Sequence, residues 1–189
     1  MKRLCVYCGS SMGRDPAFAE TARALGEEMA RRGIALVYGG GHRGLMGVVA
    51  DAVLAAGGEA YGVIPRALVD LEVAHTGLTE LHVVETMQER KAKMTELTDA
   101  FVAIPGGIGT LDELFEAWSE NALGYHAKPF GLLNCGGFWD PMVSFLDHVT
   151  DCGFMSPARR AQLLVADTIP AALDALAEAT GRGEAKMVW

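Results

Sequence analysis

The sequence lacks several features that would each assign it to a class. No apolar run reaches the roughly 18–20 residues of a membrane span. Basic charge is scarce: 16 lysines and arginines stand against 24 carboxylates, a formal net charge of −8. That excludes the basic face required by a nucleic-acid partner, though not a few cations converging on a small phosphate. No Gly-Lys-Ser/Thr sequence occurs, which argues against a Walker-type nucleoside triphosphatase. None of the five histidines sits in a metal-ligand spacing, so no metal is expected. Internal repeats and linkers are also missing.

Cysteine is sparse, at four residues. Cys5 and Cys8 make a C-x-x-C, but on a strand, positions three apart point to opposite faces. Cys135 and Cys152 do not supply the second pair of a zinc site, so all four are read as reduced core residues. The N-terminal stretch Met1–Cys8 is too short and has no cleavage site for a signal segment. It reads as a first strand, and a cytoplasmic protein is expected. With half its residues hydrophobic and 21% charged, the chain is long enough for one domain with a sizeable core.

What is present is an alternation of strand and helix. Strands are expected at about 3–8, 34–38, 59–64, 81–84, 100–104 and 129–133. Helices are expected at about 16–32, 44–57, 87–98, 110–123, 139–152, 157–164 and 170–180. Asp15-Pro16 and Ser156-Pro157 mark helix starts, and Thr86-x-x-Glu89 and Thr110-x-x-Glu113 match capping boxes. Short, continuously apolar strands belong to a parallel sheet covered on both faces. The expectation is a single α/β, doubly wound, Rossmann-like domain over 1–180 with a tail at 181–189. Ligands of such a fold bind at the carboxyl ends of the strands.

The most informative run is Pro105-Gly-Gly-Ile-Gly-Thr-Leu-Asp-Glu113, between the apolar strand Phe101–Ile104 and a helix with the apolar stripe Leu111, Leu114, Phe115, Trp118 and Ala122. Gly106, Gly107 and Gly109 leave backbone N–H groups uncovered at the positive end of a helix, which makes an anion site. Glu113 on the expected first turn sits beside it. A second run, Gly39-Gly-Gly-His-Arg-Gly-Leu-Met-Gly47, satisfies G-x-G-x-x-G through Gly39, Gly41 and Gly44. It lacks an acid at the end of the next strand, where Val63-Ile-Pro-Arg66 stands, so a nicotinamide or flavin cofactor is not expected. Its glycines still allow close backbone approach, and Arg43 offers a cation. Gly9-Ser10-Ser11 makes a third loop at the same edge.

In the helix near Thr86, positions Met87, Arg90, Lys91 and Met94 share one face. A stripe normally apolar thus carries two cations at the edge occupied by the glycine loops, and arginine suits bidentate phosphate or carboxylate contact. Glu113 has two readings: the last residue of a capping box, or a base, nucleophile or cation stabiliser kept ionised by the helix dipole.

Tyr38–Gly47, Gln88-Glu-Arg-Lys-Ala-Lys-Met94 and Pro105–Glu113 together resemble the LOG ("lonely guy") family of cytokinin riboside 5′-monophosphate phosphoribohydrolases, long mislabelled lysine decarboxylases. The resemblance runs from about Lys2 to Ala179 and takes in Gly62–Arg66 and Phe154–Pro157. It implies that Arg90 and Glu113 are the catalytic pair. Lys91, Gly107, Ile108, Gly109, Thr110, Leu111, Asp112, Glu72 and Ser119 fall on nucleotide-binding positions. It further implies a homodimer without organic cofactor that hydrolyses the N-glycosidic bond of adenine-type nucleoside 5′-monophosphates. Ser10, Gly41, Arg43, Met87 and Gly106 are added as substrate contacts from the loop and helix reading above. The chain departs from the family pattern at Ile108 and at Glu120-Asn121-Ala122, which bears on base preference and assembly. Two other classes remain open: a carrier that binds a phosphorylated ligand without turning it over, and a pyridoxal-dependent decarboxylase, which needs a lysine near the site.

Overall fold

Short strands that are apolar at every position have two faces to bury, and the fold covers both. The computed structural model describes residues 1–69 and 73–182. Its strands are β1 (Arg3–Tyr7), β2 (Ala35–Tyr38), β3 (Ala60–Pro65), β4 (Glu80–Val84), β5 (Ala100–Ala103), β6 (Phe130–Leu133) and β7 (Leu163–Ala166). Its helices are α1 (Ala17–Arg31), α2 (Gly44–Ala55), α3 (Met87–Leu97), α4 (Ile108–Ala122), α5 (Asp140–Asp151), α6 (Pro157–Arg160) and α7 (Ile169–Arg182). Every strand pair is parallel, in the order β4-β3-β2-β1-β5-β6-β7. The expected doubly wound domain is therefore found, and the sheet is parallel throughout.

Strand alternation divides the core into two layers. Leu4, Val6 and Cys8 of the first strand and its exit join Leu25 and Met29 of α1, Val49 and Val53 of α2, and Leu173 and Leu176 of α7. Cys5 and Tyr7 face the other way, toward Met94 of α3, Leu114 and Trp118 of α4, and Leu146 of α5. Cys5 and Cys8 thus lie in opposite layers, both buried and both free, as the strand reading required.

The helix starts follow their local chemistry. Asp15 Oδ1 accepts the Ala17 N–H (2.9 Å), and Ser156 Oγ accepts the Arg159 N–H (3.2 Å). Thr86 Oγ1 accepts the Glu89 N–H (3.1 Å), while the Glu89 carboxylate takes the N–H of Glu85 rather than that of Thr86. The last third of the chain departs from expectation. Residues 157–164 do not form one helix: α6 stops at Arg160, and Leu163–Ala166 becomes the edge strand β7 beside β6. Four apolar residues after a proline-capped turn read equally well as helix or strand, and the free edge of β6 decides. Helix α7 continues through Gly181 and Arg182, two residues into the expected tail; the rest of that tail lies outside the described residues.

One buried histidine gives the fold a pH signature. His126, between α4 and β6, lies against Phe101 (ring centroids 5.5 Å apart) and accepts the Lys128 N–H at Nδ1 (3.2 Å). Burial, reinforced by the Lys128 charge, pushes its imidazole down to about 4 from 6.5. The folded protein holds this ring neutral where the unfolded chain protonates it, so stability is lost as pH falls from about 6.5 toward 4. Urea titrations across that window are expected to show the loss in the parent protein and a flatter profile in His126→Gln. Equal slopes in the two proteins would reject this origin.

Candidate functional site

Strand order reverses between β1 and β5: the chain builds outward to β4 on one side and to β7 on the other. The loops leaving β1 and β5 therefore diverge and open a crevice at their carboxyl ends. A cleft of about 260 Å³ lies there. One wall is Cys8, Gly9, Ser10 and Ser11; the other is Gly107, Ile108, Gly109, Thr110 and Glu113; Met46 and Arg90 complete it.

Main-chain bonds fasten the loops together. The Gly9 N–H donates to Pro105 O (3.1 Å), and the Leu45 N–H at the start of α2 donates to Gly9 O (3.0 Å). Gly44 has φ +61°, and a Cβ there would stand 2.3 Å from Ser10 C and Ser11 N. Only glycine lets α2 press on the Ser10-Ser11 backbone in this way. The three glycine loops do meet at one edge, but the second lines the cleft only through Met46, while its Gly39 carbonyl holds Arg90. Gly41 and Arg43 do not line the cleft: Gly41 pairs instead with Ala74 in an isolated antiparallel bridge.

Helix α4 begins earlier than expected. Gly107 is its N-cap, so Ile108, Gly109 and Thr110 form the first turn, whose amides an α-helix leaves without intrahelical acceptors. Thr110 is inside the helix and 3% exposed, not an N-cap. The capping-box reading of Thr110 and Glu113 is thereby overturned, and Glu113 belongs to the second turn, facing the cleft. The signal misled because a glycine N-cap has no side chain to announce itself. The apolar stripe is also rotated: Ala117 is buried where Phe115 is exposed.

Arg90 is almost wholly buried. Its Nε donates to Val63 O (3.1 Å) and its Nη2 to Gly39 O (2.9 Å), so a carbonyl within β3 and one just after β2 aim the guanidinium. A Cβ on Gly39 would lie 2.0 Å from Arg90 Nη2. Burial drives the Cys8 thiol far above the thiol range, with the Glu113 charge adding to the rise and Arg90 opposing it. Cys8 is thus a neutral floor under the two charged residues.

The remaining expected contacts scatter. Lys91 turns away from the cleft and bonds the carboxylates of Asp112 (3.2 Å) and Glu116, tying α3 to α4. Leu111 is half-buried against the core, and Ser119 is exposed farther along α4. Met87 is exposed at the start of α3, with its sulfur 3.7 Å from Arg90 Nη1. Gly106 sits under the turn, its Cα close to Gly9. Glu72 lies outside the described residues. Cys8 and Met46, not singled out as contacts, line the cleft; each adjoins a glycine loop at the carboxyl edge, and that position is the signal that would have found them.

A parallel sheet with an amide-lined cleft at its switch point, and an arginine and a glutamate in that cleft, defines a Rossmann-like protein for a small anionic ligand. A family described as possible lysine decarboxylases matches residues 46–176. The cytokinin riboside 5′-monophosphate phosphoribohydrolase LOG of Oryza sativa subsp. japonica is 45% identical over all of this chain and 78% of its own. The cytokinin riboside 5′-monophosphate phosphoribohydrolase of Rhodococcoides fascians is 44% identical over 93% of this chain and 89% of its own. The Moco carrier protein of Chlamydomonas reinhardtii shares the fold, with a TM-score of 0.72 at 21% identity over 95% of this chain and 98% of its own. The chain belongs to the LOG family of cytokinin riboside 5′-monophosphate phosphoribohydrolases.

Proposed function

We propose that the protein hydrolyses the N-glycosidic bond of adenine-type nucleoside 5′-monophosphates, releasing free base and ribose 5-phosphate. The observation that carries this reading is the placement of Glu113 and Arg90 in one cleft with the first-turn amides of α4. Relatives at 44–45% identity are phosphoribohydrolases by name. The amides of Ile108, Gly109 and Thr110 hold the 5′-phosphate, so binding energy remote from the bond orients the ribose. The C1′–N bond breaks toward an oxocarbenium-like ribose, water oxygen bonds to C1′ and keeps one proton as the new hydroxyl, and its other proton ends on the departing base. Glu113 stabilises the developing cation or takes a proton from the water. Arg90, held by Val63 O and Gly39 O, binds phosphate or ribose without having to reorganise.

The decarboxylase description requires a lysine aldimine. No lysine lines the cleft among the described residues, and Lys91 is committed to Asp112 and Glu116. The protein is expected to act in the cytoplasm as a homodimer; exposed Phe115, Leu123 and Tyr125 around the end of α4 favour self-association. No helix among the described residues is long and apolar enough to cross a membrane.

Chromatography of the protein incubated with AMP and with isopentenyladenosine 5′-monophosphate is the test. Free base is expected from at least one, and the rate ratio names the preferred base. Intact nucleotides with retained binding would replace this reading with that of a carrier.

A further inference from the structure

Away from the cleft, three residues distant in sequence converge on the outer side of the glycine loop. His42 comes from the loop after β2, Asp51 from α2, and His75 from the segment that folds back against that loop. Their ligating atoms all lie within 4.8 Å of one another. His42 Nε2 stands 3.2 Å from Asp51 Oδ2, and His75 Nε2 stands 2.9 Å from Asp51 Oδ1. The two imidazole rings have centroids 4.4 Å apart. The backbone sets this convergence: the His42 N–H donates to Val73 O (2.9 Å) and the His75 N–H to Gly40 O (3.0 Å), on either side of the Gly41–Ala74 bridge. The His75 side chain is 7% exposed and so held in place, while His42 and Asp51 are open to solvent.

We infer that His42, Asp51 and His75 form a binding site for a divalent transition-metal ion of the zinc class. Donors around tetrahedral zinc at about 2.0–2.1 Å stand roughly 3.3 Å apart, and both nitrogen–oxygen separations here are already close to that. Two imidazoles and one carboxylate suit zinc and its neighbours, whereas magnesium and calcium take oxygen ligands. Three protein ligands leave a fourth position for water.

Loading moves protons in a defined way. The Gly77 N–H donates to His75 Nδ1 (3.0 Å), so the ring proton is on Nε2, facing Asp51. Ligation through Nε2 transfers that proton to Nδ1, and the Gly77 amide, in an exposed turn, swings away. His42 ligates as a neutral imidazole, so no net charge is lost from the rings. The bound ion ties α2, the glycine loop and the 73–77 segment together, and the inner end of that loop is the Gly39 carbonyl that aims Arg90. The site is independent of what the cleft does.

The test uses the full chain stripped with chelator, followed by thermal unfolding with zinc chloride or magnesium chloride alone, and calorimetry for stoichiometry. Zinc is expected to raise Tm by about 5 °C at a concentration well above Kd, with one ion bound per chain and no effect of magnesium. In His42→Ala, whose exposed side chain the fold does not need, zinc affinity should fall at least about tenfold. Cobalt should give a visible d–d band in the parent protein and not in the variant. The Gly77 amide resonance should shift on zinc addition. No zinc effect in the parent would leave a hydrogen-bonded tie only and overturns the site. So would an equal effect in parent and His42→Ala that is abolished by Cys152→Ser, since Cys152 Sγ and His148 Nε2 lie 3.5 Å apart at the end of α5 and offer zinc another locus.

Discussion

Glu113→Gln is expected to keep the fold and lose on the order of 10²–10⁴ in turnover of a nucleoside 5′-monophosphate. The amide conserves volume but has neither the charge to stabilise an oxocarbenium-like ribose nor the basicity to accept a proton from water. Because Gly107, not Thr110, is the N-cap of α4 and Glu113 belongs to the second turn, its neutralisation should not remove a capping box. Had it been a capping residue, the same substitution would have cost stability. The measurement is therefore paired: free-base release by chromatography and the urea midpoint on the same samples. Near-parental activity removes Glu113 from the mechanism. A large fall in the midpoint reinstates the structural reading.

The second large effect comes from a residue that does not line the cleft. Gly39→Ala is expected to lower kcat/KM by at least about 10²-fold, close to the effect of removing Arg90 itself. The new Cβ would overlap Arg90 Nη2 at 2.0 Å, and Met46 Sδ is 3.2 Å away on another side. The guanidinium is the movable partner, so it yields and abandons the Gly39 carbonyl. A misplacement of about 1 Å is enough for a loss of that order. Arg90 is a buried charge, so the displacement should also cost about 1–3 kcal/mol of stability. Kinetics of Gly39→Ala beside Arg90→Ala would check this, since the two should fail in the same kinetic parameter. Unimpaired Gly39→Ala would show that the aim of Arg90 is unimportant.

The cleft was legible because its parts follow from local rules. Glycines after the strands ending near Tyr38 and Ile104 mark the carboxyl edge, and the helical period from Thr86 brings Arg90 to the same edge. What escaped depends on partners remote in sequence. Lys91 carries the same cationic signal as Arg90, yet one step round the helix it meets Asp112 and Glu116 instead of the cleft. Leu163–Ala166 becomes a strand because β6 has an edge to offer. The histidines satisfy no ligand spacing along the chain, because His42 and His75 are brought together by a bridge between two loops. Helix α4 starts two residues before the expected position, since nothing in a glycine cap distinguishes it from the glycines around it.

The two walls of the cleft leave adjacent strands whose register is locked from Leu4–Ala100 to Tyr7–Ala103. Their separation is thus inherited from the spacing between neighbouring strands, about 4.8 Å, and not from any loop sequence. The rim, by contrast, carries Ile108, which is 84% exposed and packs on almost nothing. Under the proposed reaction, the backbone that grips the phosphate is rigid and hard to alter, while the side chains around it can be exchanged one at a time. Such a division lets one scaffold vary the rim of its cleft without relearning how to hold a phosphate.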